Sequence, residues 1–421
     1  MKSLRICMFT TFYPPHHFGG DAIGVQRLAR ALVGRGHRVT VVHDVDAFRA
    51  LAGGREPAPV PEEGVEVLPL HSGAGALSVL LTHQLGRPLL NERRIRALLA
   101  REPWDATLFH NVSLVGGPWL LDHGRGVTLY EAHEHWLVCP THVLWRHNRE
   151  PCTSRQCMRC VVRHRRPPQI WRSIGALERR LANVDVFVAK SRFSRDKHHE
   201  FGFPRPMEII PYFLPDLPAV VRNETDPHPR PYFLFVGRLE RIKGLDDVIP
   251  LFEGIDGPDL LVAGDGDHAP ALRARAAGMP RVRFLGLVPQ GALASYYRNA
   301  LALVVPSVCF ETFGIILIEA FSHGTPVIAR RIGPFPEIVE QARAGLLFEN
   351  AEELRAALRA FAESPEMRAR LGEQGRAAVQ EHWSEAAVVP QYLALIEETA
   401  ARKYRQGSEQ QPTTGDLKCA F

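Results

Sequence analysis

"PSVCFETFGIILIEAFSHGTPVIA", residues 306–329, is the stretch on which the fold turns. It overlaps a buried apolar run, ALALVVPS, with the length and β-branched content of a parallel strand, and it ends in a second such run, TPVIAR. A helical segment lies between them, so the unit reads strand, loop, helix, strand, the building block of parallel α/β sheets. Thr312, Phe313 and Gly314 fall where the helix opens, and free amides there favour an anion, helped by the helix dipole. Glu311 stands just before that opening. Glu319 lies more than a turn inside, flanked by Ile316, Leu317, Ile318, Ala320 and Phe321. A carboxylate in so apolar a setting needs a partner, and sugar or ribose hydroxyls are donors of the right kind.

The same alternation extends in both directions. Before the signature come PYFLFVGRL, DLLVAGDGD and VRFLGLV, each a strand closed by a glycine turn or a helix. Arg238 and Lys243 occupy the loop after the first of these, bracketed by Gly237 and Gly244, a fork and a point charge that suit a diphosphate. Gly264 ends the next strand, where a backbone can approach a ligand closely. The amino-terminal half opens with LRICMFTTF, a helix over GVQRLARALVGRG and the strand HRVTVVHDV, then continues through ATLFHNV, VTLYEAH and VDVFVAKS. Proline-rich FLPDLPAVVRNETDPHPRP separates the halves. The expected organisation is a Rossmann-like domain over residues 1–215, a linker over 216–230 and a second Rossmann-like domain over 231–382. A terminal helix over 383–402 packs back on the first domain, and a disordered tail covers 403–421. Two parallel-sheet domains facing across a cleft hold ligands beyond the carboxyl ends of their strands.

These residues together resemble the large retaining glycosyltransferase family 4. Its pattern is two glutamates separated by seven residues, with FG after the first and G-x-PVIA after the second, as in residues 306–329. GRLERIKG matches the family's phosphate-binding pair, Gly19-Gly20 its amino-terminal glycine loop, and GHRVTVV the strand that follows; the likeness runs to about residue 400. The resemblance implies a glycosyltransferase B fold, with the acceptor on the first domain and a nucleotide-diphosphate sugar held mainly by the second. It implies that Glu311 binds hydroxyls of the transferred hexose-type sugar and Glu319 the ribose. Arg238 and Lys243 hold the diphosphate, the Phe313, Gly314 and Ile315 amides assist, Gly264 belongs to the donor site, and Gly19 and Gly20 let the first domain close over the phosphates. No metal is needed for transfer, since cations and helix dipoles replace it. His133 matches a histidine at the cleft that orients the reacting sugar, although Glu134 and His135 depart from the usual residues after it. Arg331-Ile332-Gly333-Pro334 also departs from the family's glycine pair, and Glu337 keeps a familiar position without an assigned role.

Bulk composition narrows the classes. The chain is 45% hydrophobic and 23% charged, with no apolar run long enough to span a bilayer. The start, MKSLRICMFTTFYPP, reads as a first strand rather than a signal peptide, so a reducing cytoplasmic setting is expected, on the inner face of the membrane if the chain docks there. A net charge of +5 favours a small anionic ligand or an acidic surface and gives no case for nucleic acid. Arg163, Arg165, Arg166, Arg172, Arg179 and Arg180 flank Trp171, as a solvated helix face or as a docking surface for anionic lipid. Cys139, Cys152, Cys157 and Cys160 follow the EAHEHW segment and read either as a structural zinc site or as four reduced thiols. A sugar-nucleotide epimerase or phosphorylase would share the cleft and its phosphate contacts. A nicotinamide dehydrogenase is disfavoured, because the first turn lacks the G-x-G-x-x-G spacing and a suitable acidic residue. A non-catalytic sugar- or lipid-binding module leaves both glutamates and both cations without purpose.

Overall fold

A computed structural model describes residues 2–53, 57–58, 62–215, 226–253 and 257–409. Its strands are β1 (Arg5–Phe9), β2 (Arg38–Asp44), β3 (Val65–Leu70), β4 (Ala106–Phe109), β5 (Val127–Ala132), β6 (Trp145–Arg146), β7 (Glu150–Pro151), β8 (Val186–Ala189), β9 (Met207–Ile209), β10 (Tyr232–Val236), β11 (Asp259–Ala263), β12 (Val282–Gly286), β13 (Leu303–Val305), β14 (Val327–Arg330) and β15 (Gly345–Phe348). Seven form one sheet in the order β3-β2-β1-β4-β5-β8-β9, and six form a second in the order β12-β11-β10-β13-β14-β15. Every pairing within these two sheets is parallel. β6 and β7 make a separate antiparallel ribbon.

Both sheets have the doubly wound order, in which the strand sequence reverses beside the first strand and opens a crevice at the carboxyl ends. The reversal falls between β1 and β4 in one sheet and between β10 and β13 in the other. Apart from Arg5 and Val236 at two strand ends, those strands are buried, and they are mostly apolar because helices cover both faces. β3, β9 and β15 were not anticipated. β3 contains Pro69 and pairs only with β2, so it takes the edge position where a missing amide is tolerated.

The chain crosses between the sheets twice, at neighbouring points: the Leu214 amide donates to the Trp383 carbonyl at 2.8 Å. The helix Glu385–Glu409 then lays Val388, Val389, Tyr392, Leu393 and Ile396 onto the first sheet, in one core with Ile6, Met8, Val41, Leu108 and Leu129. This helix runs seven residues beyond the expected stop at 402, so residues 403–409 are helical rather than part of a disordered tail; Lys403 anchors it through the Gly126 carbonyl and Asp185, both at 2.8 Å. Residues 410–421 and positions 216–225 of the expected linker lie outside the described residues. His228, at the linker's far end, is tied to Asp259 of β11 at 2.8 Å.

The arginine-rich segment is not one helix. It breaks into Cys157–Arg163, Ile170–Ser173 and a 3-10 turn at Glu178–Asn183. Trp171 is buried, and the Arg172 guanidinium lies over its ring at 4.4 Å and over Trp136 at 5.4 Å.

Candidate active site

Strand ends from both sheets converge on a cleft of about 640 Å³. From the first sheet come Gly19, Gly20 and Asp21 after β1, and His133 and Glu134 after β5. From the second come Arg238 after β10, Gly264 after β11, and Glu311 with the Thr312–Ile316 segment after β13. Gly20 brings first-domain backbone against the other domain: a Cβ there would stand 3.2 Å from Ile315 Cδ1.

Two glycines are fixed by backbone geometry. Gly264 has φ +137°, and a Cβ would lie 1.9 Å from the Gly237 carbonyl oxygen, so the ends of β10 and β11 touch without side chains. Gly314 has φ +139° and immediately precedes the helix Ile315–Ser322. First-turn amides of a helix lack intrahelical acceptors, and Phe313 to Ile316 line the cleft.

Lys243 Nζ donates to Glu311 Oε1 at 2.6 Å, and the Ser307 hydroxyl lies 3.4 Å from the same oxygen. Burial alone would raise the Glu311 carboxyl, but Lys243, Ser307 and Arg238 hold it below the ordinary value. Burial likewise works against the Lys243 ammonium, and Glu311 more than offsets it. Both groups are therefore charged at neutral pH. Arg238 is more exposed and pairs with Glu240 at 3.0 Å. Asp21, which sequence reasoning passed over, has its carboxyl pushed up by burial and by Glu134 against the opposing pull of Arg238.

Glu319 departs from expectation. Its Oε1 accepts from Arg27 at 2.9 Å, an arginine of the helix Gly20–Gly34 in the first domain, and it is not part of the cleft lining. The partner that its apolar setting demanded is a cation from across the molecule. His133 departs as well: its Nδ1 meets the Tyr212 hydroxyl and its Nε2 meets His110 Nδ1 at 2.8 Å, so both ring nitrogens are engaged inside the protein. Only its wall, and its carbonyl bonded by Thr312 Oγ1 at 2.8 Å, face the other domain.

Behind His133 lies a buried cluster that sequence reasoning missed. Glu131 of β5 accepts from Lys190, just after β8, and from the Tyr392 hydroxyl of the terminal helix at 2.8 Å. His110 and His133 stand 3.6 and 3.8 Å from its oxygens. Burial would raise Glu131, yet Lys190 and the two imidazoles bring it down to about 2. Burial lowers His110 to about 4 and holds His133 well below the ordinary imidazole value, so both rings are neutral at pH 7. His110, Glu131 and His133 form the one group among the described residues with metal-ligand spacing, but the Lys190 ammonium on Glu131 opposes a cation there. The signal was present as single charged residues inside apolar strands, VTLYEAH and VFVAKS.

The domains meet around the signature loop. Ser191 Oγ donates to the Thr312 carbonyl at 2.7 Å. Glu337, left without a role by the sequence, accepts from the Arg192 and Phe193 amides, each at 3.0 Å, at the start of the helix Arg192–Glu200.

A cleft between two doubly wound sheets, offering two cations, a carboxylate and a helix amino terminus, defines a two-domain protein whose seam has the chemistry to suit an anionic, hydroxyl-bearing ligand. Comparison with known proteins places it further. The family described as Glycosyltransferase Family 4 matches residues 18–215, and that described as Glycosyl transferases group 1 matches residues 220–378. The chain belongs to these glycosyltransferases and is a transferase enzyme of the glycosyltransferase B fold. It is 34% identical over 177 residues to the phosphatidyl-myo-inositol mannosyltransferase of Mycobacterium leprae, a match covering 40% of this chain and 46% of that protein. With the glycogen synthase of Mycobacterium tuberculosis it shares 26% identity over 395 residues, 86% of this chain and 87% of the relative. The crystal structure of Anabaena HepE with UDP and glucose superposes with a TM-score of 0.65 at 18% identity, covering 94% of this chain and all of that one.

Proposed function

We propose that the enzyme moves a hexose-type sugar from a nucleotide-diphosphate donor to an acceptor hydroxyl with retention of configuration, in polysaccharide, glycolipid or glycoside assembly. One observation carries this reading: Lys243 and Glu311, both charged and bonded at 2.6 Å, sit beside the first turn of the helix Ile315–Ser322 in the shared cleft. A diphosphate bound by Arg238, Lys243 and the Phe313, Gly314 and Ile315 amides releases Glu311 to accept hydrogen bonds from the sugar hydroxyls. The cations stabilise charge on the leaving phosphate, the part a metal plays in other transferases. The acceptor oxygen bonds the anomeric carbon on the face from which the diphosphate departs, and the departing phosphate oxygen takes the acceptor's proton. Gly19, Gly20 and Gly264 let backbone approach the phosphates. His133 contributes as a fixed wall and not through a ring nitrogen.

A screen of nucleotide-diphosphate sugars for thermal stabilisation and slow hydrolysis tests the reading. UDP-hexoses stand first, since HepE is seen with UDP and glucose. Binding by at least one donor, abolished by Arg238→Ala with Lys243→Ala, is expected. Binding by none, or epimerisation of the donor without acceptor, overturns it.

The acceptor side favours an anionic membrane surface, with the enzyme working on the cytoplasmic face. No helix of the described residues is long and apolar enough to cross a membrane. The helices Ala76–Leu85 and Ile170–Ser173, joined by Trp171 Nε1 donating to the His83 carbonyl at 2.9 Å, expose Leu77, Leu80, Leu85 and Ile170, with Ile174 just beyond. Arg149, Arg159, Arg163 and Arg165 line a hollow in the segment that leads into Ile170–Ser173. Exposed apolar residues together with clustered cations are the features that bind the interface of an anionic bilayer. Co-sedimentation with vesicles that rises with anionic lipid content supports this; no dependence on that content excludes it.

A further inference from the structure

We propose that Cys139, Cys152, Cys157 and Cys160 hold one zinc ion that staples the segment between the cleft wall and the basic hollow. Separated by twelve, four and two residues in the sequence, the four cysteines line one cavity of about 20 Å³, room for a single water-sized sphere. Its other walls include Leu144, Trp145 and Phe201, and no carboxylate or imidazole shares the lining. All four are free thiols. The His147 amide lies 3.3 Å from Cys160 Sγ and the Thr141 hydroxyl 3.3 Å from Cys139 Sγ, donors of the kind that stabilise thiolate charge. Four thiolates around zinc carry a net charge of −2, and Arg146 and Arg155 stand in the same lining to balance it.

The surrounding backbone gives a second, independent reason. No glycine occurs between Gly126 and Gly175, yet five of the six positive-φ non-glycine residues among the described residues, His142, Leu144, His147, Asn148 and Arg165, fall here. Left-handed conformations in such residues persist where something over-determines them. The local apolar core, Cys139, Leu144 and Phe201 with a few half-buried neighbours, is small for that task. No three of the sulfurs lie within 4.8 Å of one another, so an ion would draw them inward onto bonds of about 2.3 Å, releasing the thiol protons to solvent. The segment reaches the cleft: the Cys139 amide donates to the His135 carbonyl at 2.8 Å, His142 bonds Glu134 at 2.9 Å, and Glu134 and Val143 line the cleft itself. The staple would hold the acceptor-side wall in place without entering the chemistry.

The full-length chain, purified under reducing conditions without added metal, is expected to contain about one zinc per chain by elemental analysis. Metal-stripped protein given Co(II) alone is expected to show the intense visible bands of a tetrahedral thiolate site. Cys157→Ser with Cys160→Ser is expected to reduce the metal content at least about fivefold. If those variants fail to fold, the wild-type metal content and cobalt spectrum still decide. Wild-type protein without bound metal that gives no thiolate–cobalt spectrum overturns the proposal, as does a thiol titration that finds the four cysteines paired in disulfides. Donor binding does not enter this readout, so the proposal and the transfer reading fail separately.

Discussion

Glu311 and Glu319 look alike in the sequence, two carboxylates beside apolar residues, and the structure separates them by their partners. Lys243 belongs to the same domain as Glu311 and keeps it in the cleft, whereas Arg27 reaches from the other domain to take Glu319. No local pattern carries that distinction, because it depends on a contact 292 positions away. Glu131 and Lys190 were legible only as isolated charges in buried strands; their pairing, 59 positions apart, required the parallel register of β5 and β8. Both side chains are 1% exposed, so deleting one charge strands the other. Glu131→Gln is expected to cost about 3–5 kcal/mol of unfolding free energy in urea titration. Glu131→Leu combined with Lys190→Met should recover most of that loss, since apolar replacement of a buried pair is near neutral. A single variant as stable as wild type would show that the pair is already solvated.

At the scale of elements, the strands that flank the site were readable because they are continuous apolar runs ending in glycine or charged turns. β3, β9 and β15 escaped because they are short or edge strands with proline, polar or loop-like composition. The arginine-rich segment divides in a way its composition does not reveal: Trp171 and Arg172 pack into the interior and Arg180 is spent on Asp122 at 2.7 Å, while Arg163, Arg165, Arg166 and Arg179 stay exposed. The helix Arg192–Glu200 shows how an element of one domain is completed by the other. Its own Ser191 caps the Ser194 amide at 3.0 Å, and Glu337 satisfies the two amides before it. Glu337→Ala is expected to weaken the closed arrangement by about 1–2 kcal/mol. Small-angle scattering of the unliganded variant should show a larger radius of gyration than wild type, and an unchanged radius would remove Glu337 from domain closure.

For the whole molecule, two sheets of the same strand order, crossed twice by the chain and sealed by the terminal helix, place every reactive loop on one seam. That architecture was legible in the repeated strand and helix alternation. The buried interior of the seam was not, since it gathers histidines from strand ends and from the helix Arg192–Glu200. His110 and His198 are lowered to about 4 by burial, so the unfolded chain takes up their protons first as pH falls below 6.5. Stability should therefore fall between pH 7 and pH 5, by about 2–4 kcal/mol for these two alone, read from urea midpoints at each pH. A flat profile would mean that these rings are hydrated in the folded state.

The central claim is that Glu311 acts on a sugar carried by a nucleotide diphosphate in this cleft. With the donor that stabilises the protein most, the rate of donor consumption by wild type and by Glu311→Ala measures it directly. The account predicts a loss of at least about 100-fold in rate, with the variant still folded and still binding the free nucleotide diphosphate through Arg238 and Lys243. Donor turnover by Glu311→Ala at the wild-type rate would contradict it.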